Sequence, residues 1–239
     1  LSSAQHELLL TTWWIDPDIE LTRPEALQLA DPADRREHRF SAYVDDFARR
    51  GGRTCLLIWS WLGTPILNPT LRRWAIEAGD NVEVLQRGHP RLIGSFHQKT
   101  IIIDRLIAYC GGFNMRQNDW DTQAHHLDDA RRNPHDTDRA GRSGIPAFQP
   151  RHDVTARIAG PLVAEVHDVF VAYWNASLQR RGRGRGALHR AWAWLNAAGP
   201  ADSVVPMRAN RRQHAGSTLA QLVLTEPHRK PRKQPIYDM

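Results

Sequence analysis

Between residues 7 and 85, three short apolar runs alternate with two segments of helical period, and that order leaves few folds open. Glu7–Ile15 (ELLLTTWWI), Thr54–Trp61 (TCLLIWSW) and Val82–Leu85 are too short for buried helices to be preferred, and they read as strands. Glu37–Arg50 repeats Phe40, Tyr43, Val44 and Phe47 at i, i+3, i+4, i+7 and closes at Gly51-Gly52. Pro69–Gly79 carries Leu71, Trp74 and Ala78 and ends on Gly79. Periodicity and the terminal glycines make both of these helices. Strand, helix, strand, helix, strand predicts right-handed crossovers. Thr100–Ile103 and Leu106–Cys110 follow at close spacing as an expected antiparallel pair, and Asp153–Ile158 as a sixth strand. Gly160-Pro161 then opens a helix to about Leu178, with Val163, Val166, Phe170, Tyr173 and Trp174 at helical spacing. The expected fold class is α/β, a mixed, largely parallel β-sheet flanked by helices.

The chain has 239 residues, 41% of them hydrophobic and nine of them tryptophan, which argues for a folded core rather than disorder. Formal net charge is +6, with part of the excess concentrated in Arg180–Arg190 and His228–Lys233. That balance suits an anionic partner without choosing between nucleic acid, membrane surface and phosphate ester. Residues 1–178 form the expected main unit, 179–218 a basic linker with a short helix at Ala187–Ala198, and 219–239 the start of a second unit with a strand at Leu219–Leu224. Met115–Pro150 is a long polar connection, of the kind that is functional or disordered in compact domains. Cys55 and Cys110 fall in strands and read as buried thiols, with one disulfide as the alternative. No run reaches the ~18 apolar residues of a membrane span. The sequence begins at Leu1, so it carries no information about a signal peptide.

The chemistry concentrates in Ser95–Asn114, SFHQKTIIIDRLIAYCGGFN. On a strand, His97, Lys99, Ile101 and Ile103 share one face, and His97 and Lys99 stand ~6.6 Å apart at ~3.3 Å per residue. An imidazole beside an ammonium is a poor core and a good phosphate holder: histidine attacks or donates a proton near neutral pH, and lysine neutralises a non-bridging oxygen. Asp104 lies an odd seven residues past His97, on the opposite face and on the order of 23 Å away. Parity and distance therefore give it a structural job, capping a turn or pairing with an arginine. Gly111-Gly112 lets backbone amides approach a ligand, and the Asn114 amide can donate to phosphate.

HQKTIIID, followed after six residues by GGFN, resembles the HxKxxxxD…GGxN signature of the phospholipase D superfamily, matching at His97, Lys99, Asp104, Gly111, Gly112 and Asn114. TTWWIDPDIELTRP (Thr11–Pro24), DWDTQAHHL (Asp119–Leu127), RHDVTARIAGP (Arg151–Pro161) and FVAYWN (Phe170–Asn175) are similar to flanking segments of its phospholipase D proper branch. The resemblance runs from about Glu7 to Asn175, resumes at Gln221–Pro227, and implies a phospholipase D-like half-domain over 1–178. It implies hydrolysis of glycerophospholipids to phosphatidic acid and head-group alcohol through a phosphohistidine, without metal or cofactor. The motif residues His97, Lys99 and Asp104 would be the catalytic set, with Gly112, Asn114 and His125 binding substrate. Members of that branch carry two such motifs, whereas this sequence has one His-x-Lys. The missing half would come from a longer chain, of which this is the N-terminal half, or from a homodimer. Which role His97 takes, nucleophile or acid, stays open.

The implied partners are a phospholipid substrate at a membrane surface and the second half-site, with nucleic acid ranking behind them. Localisation is open beyond peripheral action at a membrane, export included. A one-motif dimeric nuclease and a non-catalytic phosphate-binding module are the alternatives. His125, His126, Asp128, Asp129, His135 and Asp136 have metal-ligand chemistry, though a solvated polar loop explains them better, with His125 the best functional candidate because the family resemblance falls there. The RGRGRG stretch reads as a linker or a nucleic-acid grip. Trp13, Trp14, Trp192 and Trp194 read as core or as a lipid-facing belt, and Asp16 and Asp18 as turn or site groups.

Overall fold

The computed structural model describes residues 3–22, 35–60, 69–88, 95–125 and 151–182, together with 218 and 220–222. The elements in chain order are β1 (Glu7–Thr12), a 3-10 turn (Arg36–His38), α1 (Phe40–Arg49), β2 (Arg53–Ser60), α2 (Pro69–Glu77) and β3 (Val82–Gly88). They continue with β4 (Thr100–Ile103), β5 (Ile107–Gly111), a second 3-10 turn (Gln117–Asp119), β6 (Thr155–Ala159) and α3 (Leu162–Gly182). The strands form a six-stranded mixed sheet in the order β3-β2-β1-β4-β5-β6. β1–β2 and β2–β3 are parallel, while β1–β4, β4–β5 and β5–β6 are antiparallel. β1, β2, β3 and β5 therefore share one direction, and β4 and β6 run against them. This is the mixed α/β class expected from the element order, but the sheet is not largely parallel, because the β4–β5 hairpin and β6 make three of the five pairings antiparallel. The helix at Ala187–Ala198 and residues 126–150 lie outside the described residues.

Side-chain alternation sorts the core onto the two sheet faces. Leu8, Leu10, Leu56, Ile58, Val82, Val84 and Ile103 pack with Phe40, Val44 and Phe47 of α1 and Leu71, Trp74 and Ala75 of α2. Leu9, Cys55, Leu57, Leu85, Ile102 and Ala108 pack with Val163, Val166, Phe170, Val171 and Trp174 of α3. Gly51 (φ 85°) and Gly79 (φ 80°) follow α1 and α2 in the left-handed conformation that ends a helix. Both cysteines are free, Cys55 buried and Cys110 half-buried.

Three strand expectations need correction. β1 stops at Thr12, so Trp13 and Trp14 lie beyond it. β4 starts only at Thr100, leaving His97 and Lys99 in the irregular segment before it. The cause lies in the threonines: the Thr100 amide donates to Thr11 Oγ1 (3.1 Å) and the two hydroxyls bond each other (2.7 Å), which ends the ladder in side chains. The strand expected at Leu219–Leu224 does not form among its described residues, 220–222, which pair with no strand edge; Leu222 packs instead against the α3-side core.

Asp104 occupies the far end of β4. It and Arg105 both take positive φ (51° and 58°), with the Leu106 amide on the Ile103 carbonyl, as tight hairpin turns require. The Asp104 carboxylate accepts the backbone amides of Gln5 (2.8 Å), His6 (2.7 Å) and Glu7 (2.8 Å), pinning the chain where it enters β1. Arg105 clamps the Glu7 carboxylate with two hydrogen bonds (2.8 and 3.0 Å). The turn role read from parity is thus present, with backbone amides as the carboxylate's partners and the arginine pairing next door. We expect Asp104→Ala to lower unfolding stability by about 1.5–3 kcal/mol, the range for hydrogen bonds to charged groups, and to strip hydrogen-exchange protection from the amides of residues 5–7. An unchanged urea midpoint would show that this carboxylate carries no such role.

Candidate active site

Because β1, β2 and β5 point one way and β4 and β6 the other, five chain segments meet at one edge of the sheet. These are the residues after β1, the end of β2, the approach to β4, the residues after β5 and the approach to β6. Open α/β sheets bind ligands at this carboxyl edge. Here it collects Trp13, Trp59, His97, Lys99, Asn114 and Asp153, whereas Asp104 is at the opposite edge.

His97 is exposed and Lys99 is buried, with 6% of its surface accessible. The Lys99 ammonium lies 3.1 Å from both ring nitrogens of His97 and donates to the His97 carbonyl at 3.0 Å. The two side chains therefore converge as expected, but through a local fold-back of the chain ahead of β4 rather than through strand alternation. Phe96 anchors that segment. Its ring meets Tyr173 of α3 edge-on at 5.1 Å, and the Arg87 guanidinium lies 5.0 Å from the Phe96 ring and 4.0 Å from the Tyr173 ring.

Burial lowers the His97 imidazole below its ordinary range, and the charges of Lys99 and Arg151 push the same way against Asp153. Above that lowered value the ring is neutral, with a lone pair free to attack or accept a proton. Burial also lowers Lys99, with Arg151 adding to the shift and Asp153 and Asp119 opposing it. Trp13 forms a wall beside the pair: it meets the His97 ring at 6.0 Å and stacks on Trp59 at 5.4 Å. Trp14 turns away, its indole N–H donating to Asp16 Oδ1 (2.7 Å) beneath the Arg116 guanidinium. Asp16 also accepts the Gln117 amide, and Asp18 pairs with Arg39, so neither aspartate joins the His97 pair. Trp61, Trp192 and Trp194 lie outside the described residues.

Asn114 is buried, and its Oδ1 accepts no hydrogen bond among the described residues. The glycines act differently from the expectation of open amides. The Gly111 amide donates to the Lys99 carbonyl (3.3 Å) and the Gly112 amide to the Val154 carbonyl (3.4 Å). A Cβ on Gly111 would collide with the Val154 carbonyl, and one on Gly112 with the Asp153 carboxylate. Their lack of a side chain thus admits the start of β6 and, with it, the Asp153 charge.

His125 stands in a separate cluster. It is hydrogen-bonded to Asp121 and meets the His152 ring at 4.8 Å, and none of its interactions reaches His97 or Lys99. His126, Asp128, Asp129, His135 and Asp136 lie outside the described residues. Sequence reasoning singled out neither Arg151 nor Asp153, although both charges bear on the His97–Lys99 pair. Their only signal was membership of the RHDVTARIAGP segment, since no local periodicity links them to residues so far back in the chain.

No family model matches the chain. Among curated proteins it is 26% identical over 198 residues to phospholipase D B of Dictyostelium discoideum, covering 73% of this chain and 16% of that protein. It is 28% identical over 203 residues to phospholipase D A of the same organism, covering 73% and 15%. The chain thus spans about one sixth of the length of these relatives. Among solved structures, NucT from Helicobacter pylori aligns with a TM-score of 0.45 at 13% identity, over 73% of this chain and 82% of that one.

The charges around His97 predict shifts of opposite sign. Lys99→Met removes a cation that lowers the imidazole, so the His97 titration should move up; Asp153→Asn removes an anion that raises it, so the titration should move down. Two-dimensional NMR of the histidine rings reads both, and a Lys99→Met midpoint equal to that of the unsubstituted chain would remove the electrostatic coupling.

Proposed function

The chain belongs to the phospholipase D superfamily, and we propose that it supplies one half of a phosphodiester-hydrolysing site, with His97 as nucleophile and Lys99 as oxyanion partner. The observation that carries this reading is the Lys99 ammonium packed against a solvent-accessible His97 imidazole whose neutral form is favoured. The neutral nitrogen attacks phosphorus, forming a P–N bond as the P–O bond to the leaving alcohol breaks. The Lys99 ammonium balances charge on the non-bridging oxygens, the contribution that such donors make in a partly buried site. A water then attacks the phosphohistidine, passing its proton to the second half-site group left neutral by protonating the alkoxide, and the P–N bond breaks to regenerate the imidazole. The Asn114 side-chain NH2 donates to the phosphate oxygens beside the Gly112 segment, whereas His125 stands in its own cluster with Asp121 and His152 and is left out of this reading. Asp104 belongs to the motif but acts through the fold, by holding the β1–β4 pair in register.

Protonating the leaving alkoxide needs a second acid that the single His-x-Lys does not supply. That histidine comes from a second half-site, in the same polypeptide or in a second copy of this chain. We assign a glycerophospholipid as substrate, cleaved to phosphatidic acid and head-group alcohol at a membrane surface. The curated relatives that this chain resembles carry the name phospholipase D, which supports that choice. The Trp13–Trp59 wall beside His97 offers apolar area for the same substrate.

The test uses the site completed by its second half, or the self-associated chain if sedimentation shows a dimer. Bis(p-nitrophenyl) phosphate probes the chemistry, and glycerophospholipid vesicles and duplex DNA probe the substrate. We expect His97→Ala to abolish turnover on every phosphodiester that is cleaved and Lys99→Ala to lower it by about 10²–10³-fold, as loss of an oxyanion donor does. Acid-labile phosphate should be trapped on His97 by rapid quenching. Turnover of His97→Ala at the unsubstituted rate would remove the mechanism. Cleavage of DNA with vesicles untouched would keep the mechanism and replace the substrate.

A further inference from the structure

We infer that Asp121, His125 and His152 form a binding site for a divalent transition metal of the zinc class, built from residues other than the His97–Lys99 pair. The three residues come from two distant segments, one following the 3-10 turn after β5 and one leading into β6. One ligand atom from each lies within 4.8 Å of the others. Asp121 Oδ2 is bonded to His125 Nδ1 and stands 3.8 Å from His152 Nδ1. A tetrahedral ion with bonds of ~2.0–2.1 Å spaces its ligand atoms roughly 3.3 Å apart. Seating one here asks His125 to move out and His152 to move in by small side-chain rotations.

The exposures suit those movements. The Asp121 side chain is 7% exposed and fixed, whereas His125 and His152 are 53% and 72% exposed and free to turn. Asp121 Oδ1 is buried and accepts no hydrogen bond among the described residues, which leaves acceptor capacity at the cluster. Without an ion, His125 is bonded to the carboxylate and His152 stands 3.8 Å from it, beyond hydrogen-bond reach. With an ion, each group presents a lone pair to a cation.

The donor set decides the class of metal. Two imidazoles and one carboxylate match zinc and its divalent neighbours, whereas calcium and magnesium take sets of oxygen atoms. Three protein ligands leave a fourth position for water. The site's effect on its surroundings follows from His152, which sits between Arg151 and Asp153. Arg151 is already tied to the Asp119 carboxylate (3.2 Å), and its amide donates to the Asp119 carbonyl (3.1 Å). Arg151 and Asp153 both bear on the His97 imidazole. An ion bridging Asp121 to His152 would therefore cross-link the approach to β6 to the segment after β5 and hold these two charges in place.

The experiment is zinc titration of the chelator-washed 239-residue chain, read by calorimetry, with cobalt absorption bands as a second readout and no activity measured. We expect one equivalent of zinc to bind at pH 7.5, with His125 and His152 ring signals moving in NMR spectra. His125→Ala, His152→Ala and Asp121→Asn should each weaken it by at least about 10-fold, the lower bound found for losing even outer-sphere partners. His97→Ala and the double variant His126→Ala/His135→Ala should bind as the unsubstituted chain does. Since His152 is mostly exposed, its alanine variant keeps the fold, and circular dichroism checks this. Absence of zinc binding, or equal binding by His152→Ala, overturns the site. Loss of binding in the His126/His135 variant with retention in His125→Ala also overturns it, by moving the metal to other histidines.

Discussion

The pairing of β1 with β4 is the joint from which the rest of the arrangement follows. β1 lies in the middle of the sheet, parallel to β2 on one side and antiparallel to β4 on the other. An antiparallel neighbour brings the start of one strand beside the end of the other. The approach to β4, with His97 and Lys99, therefore lands next to the residues leaving β1, with Trp13. The joint is closed at both ends by side chains: Thr11 and Thr100 share a hydroxyl bond at the site edge, and the Asp104 carboxylate gathers three backbone amides at the other. Between them, Leu9 and Ile102 face each other fully buried. The motif aspartate and the motif histidine thus serve one structure from opposite edges of the sheet.

At the site edge, the governing factor is desolvation combined with a small set of charges. Burial works against the protonated imidazole, and Lys99 and Arg151 reinforce it while Asp153 opposes. The two acidic and basic neighbours arrive together because Gly111 and Gly112 allow the start of β6 to close in on β5. The same incoming segment carries His152 toward Asp121 and His125. One short stretch, Arg151–Asp153, therefore contributes to both clusters, which is why the geometry of one bears on the charge balance of the other.

Much of the architecture was legible along the chain. The alternation of apolar runs and helical periods places all six strands and the three helices, because burial on two sheet faces gives strands continuous apolar runs and helices an apolar stripe. The His97–Lys99 pair was legible from residue type and spacing, although the strand geometry assumed for it was not the one adopted. The reason is local: a threonine hydroxyl took the amide that a strand would have used. The role of Asp104 was legible in its exclusion from the pair, by parity and distance, but its partners were not, since they lie nearly a hundred residues earlier in the chain.

By itself, then, the order of residues determined the fold class, the two buried faces, the chemical identity of the candidate His97–Lys99 pair and the likeness to one superfamily. Each of these depends on nearest neighbours or on a short period. The tertiary structure decided at which edge of the sheet His97 and Lys99 meet, that Trp13 and Trp59 stack beside them, that Gly111 and Gly112 make room for β6, and that Asp121, His125 and His152 meet. Each of these requires segments separated by tens of residues to be brought to one place, and only strand order and direction, fixed by burying both faces of the sheet at once, can do that.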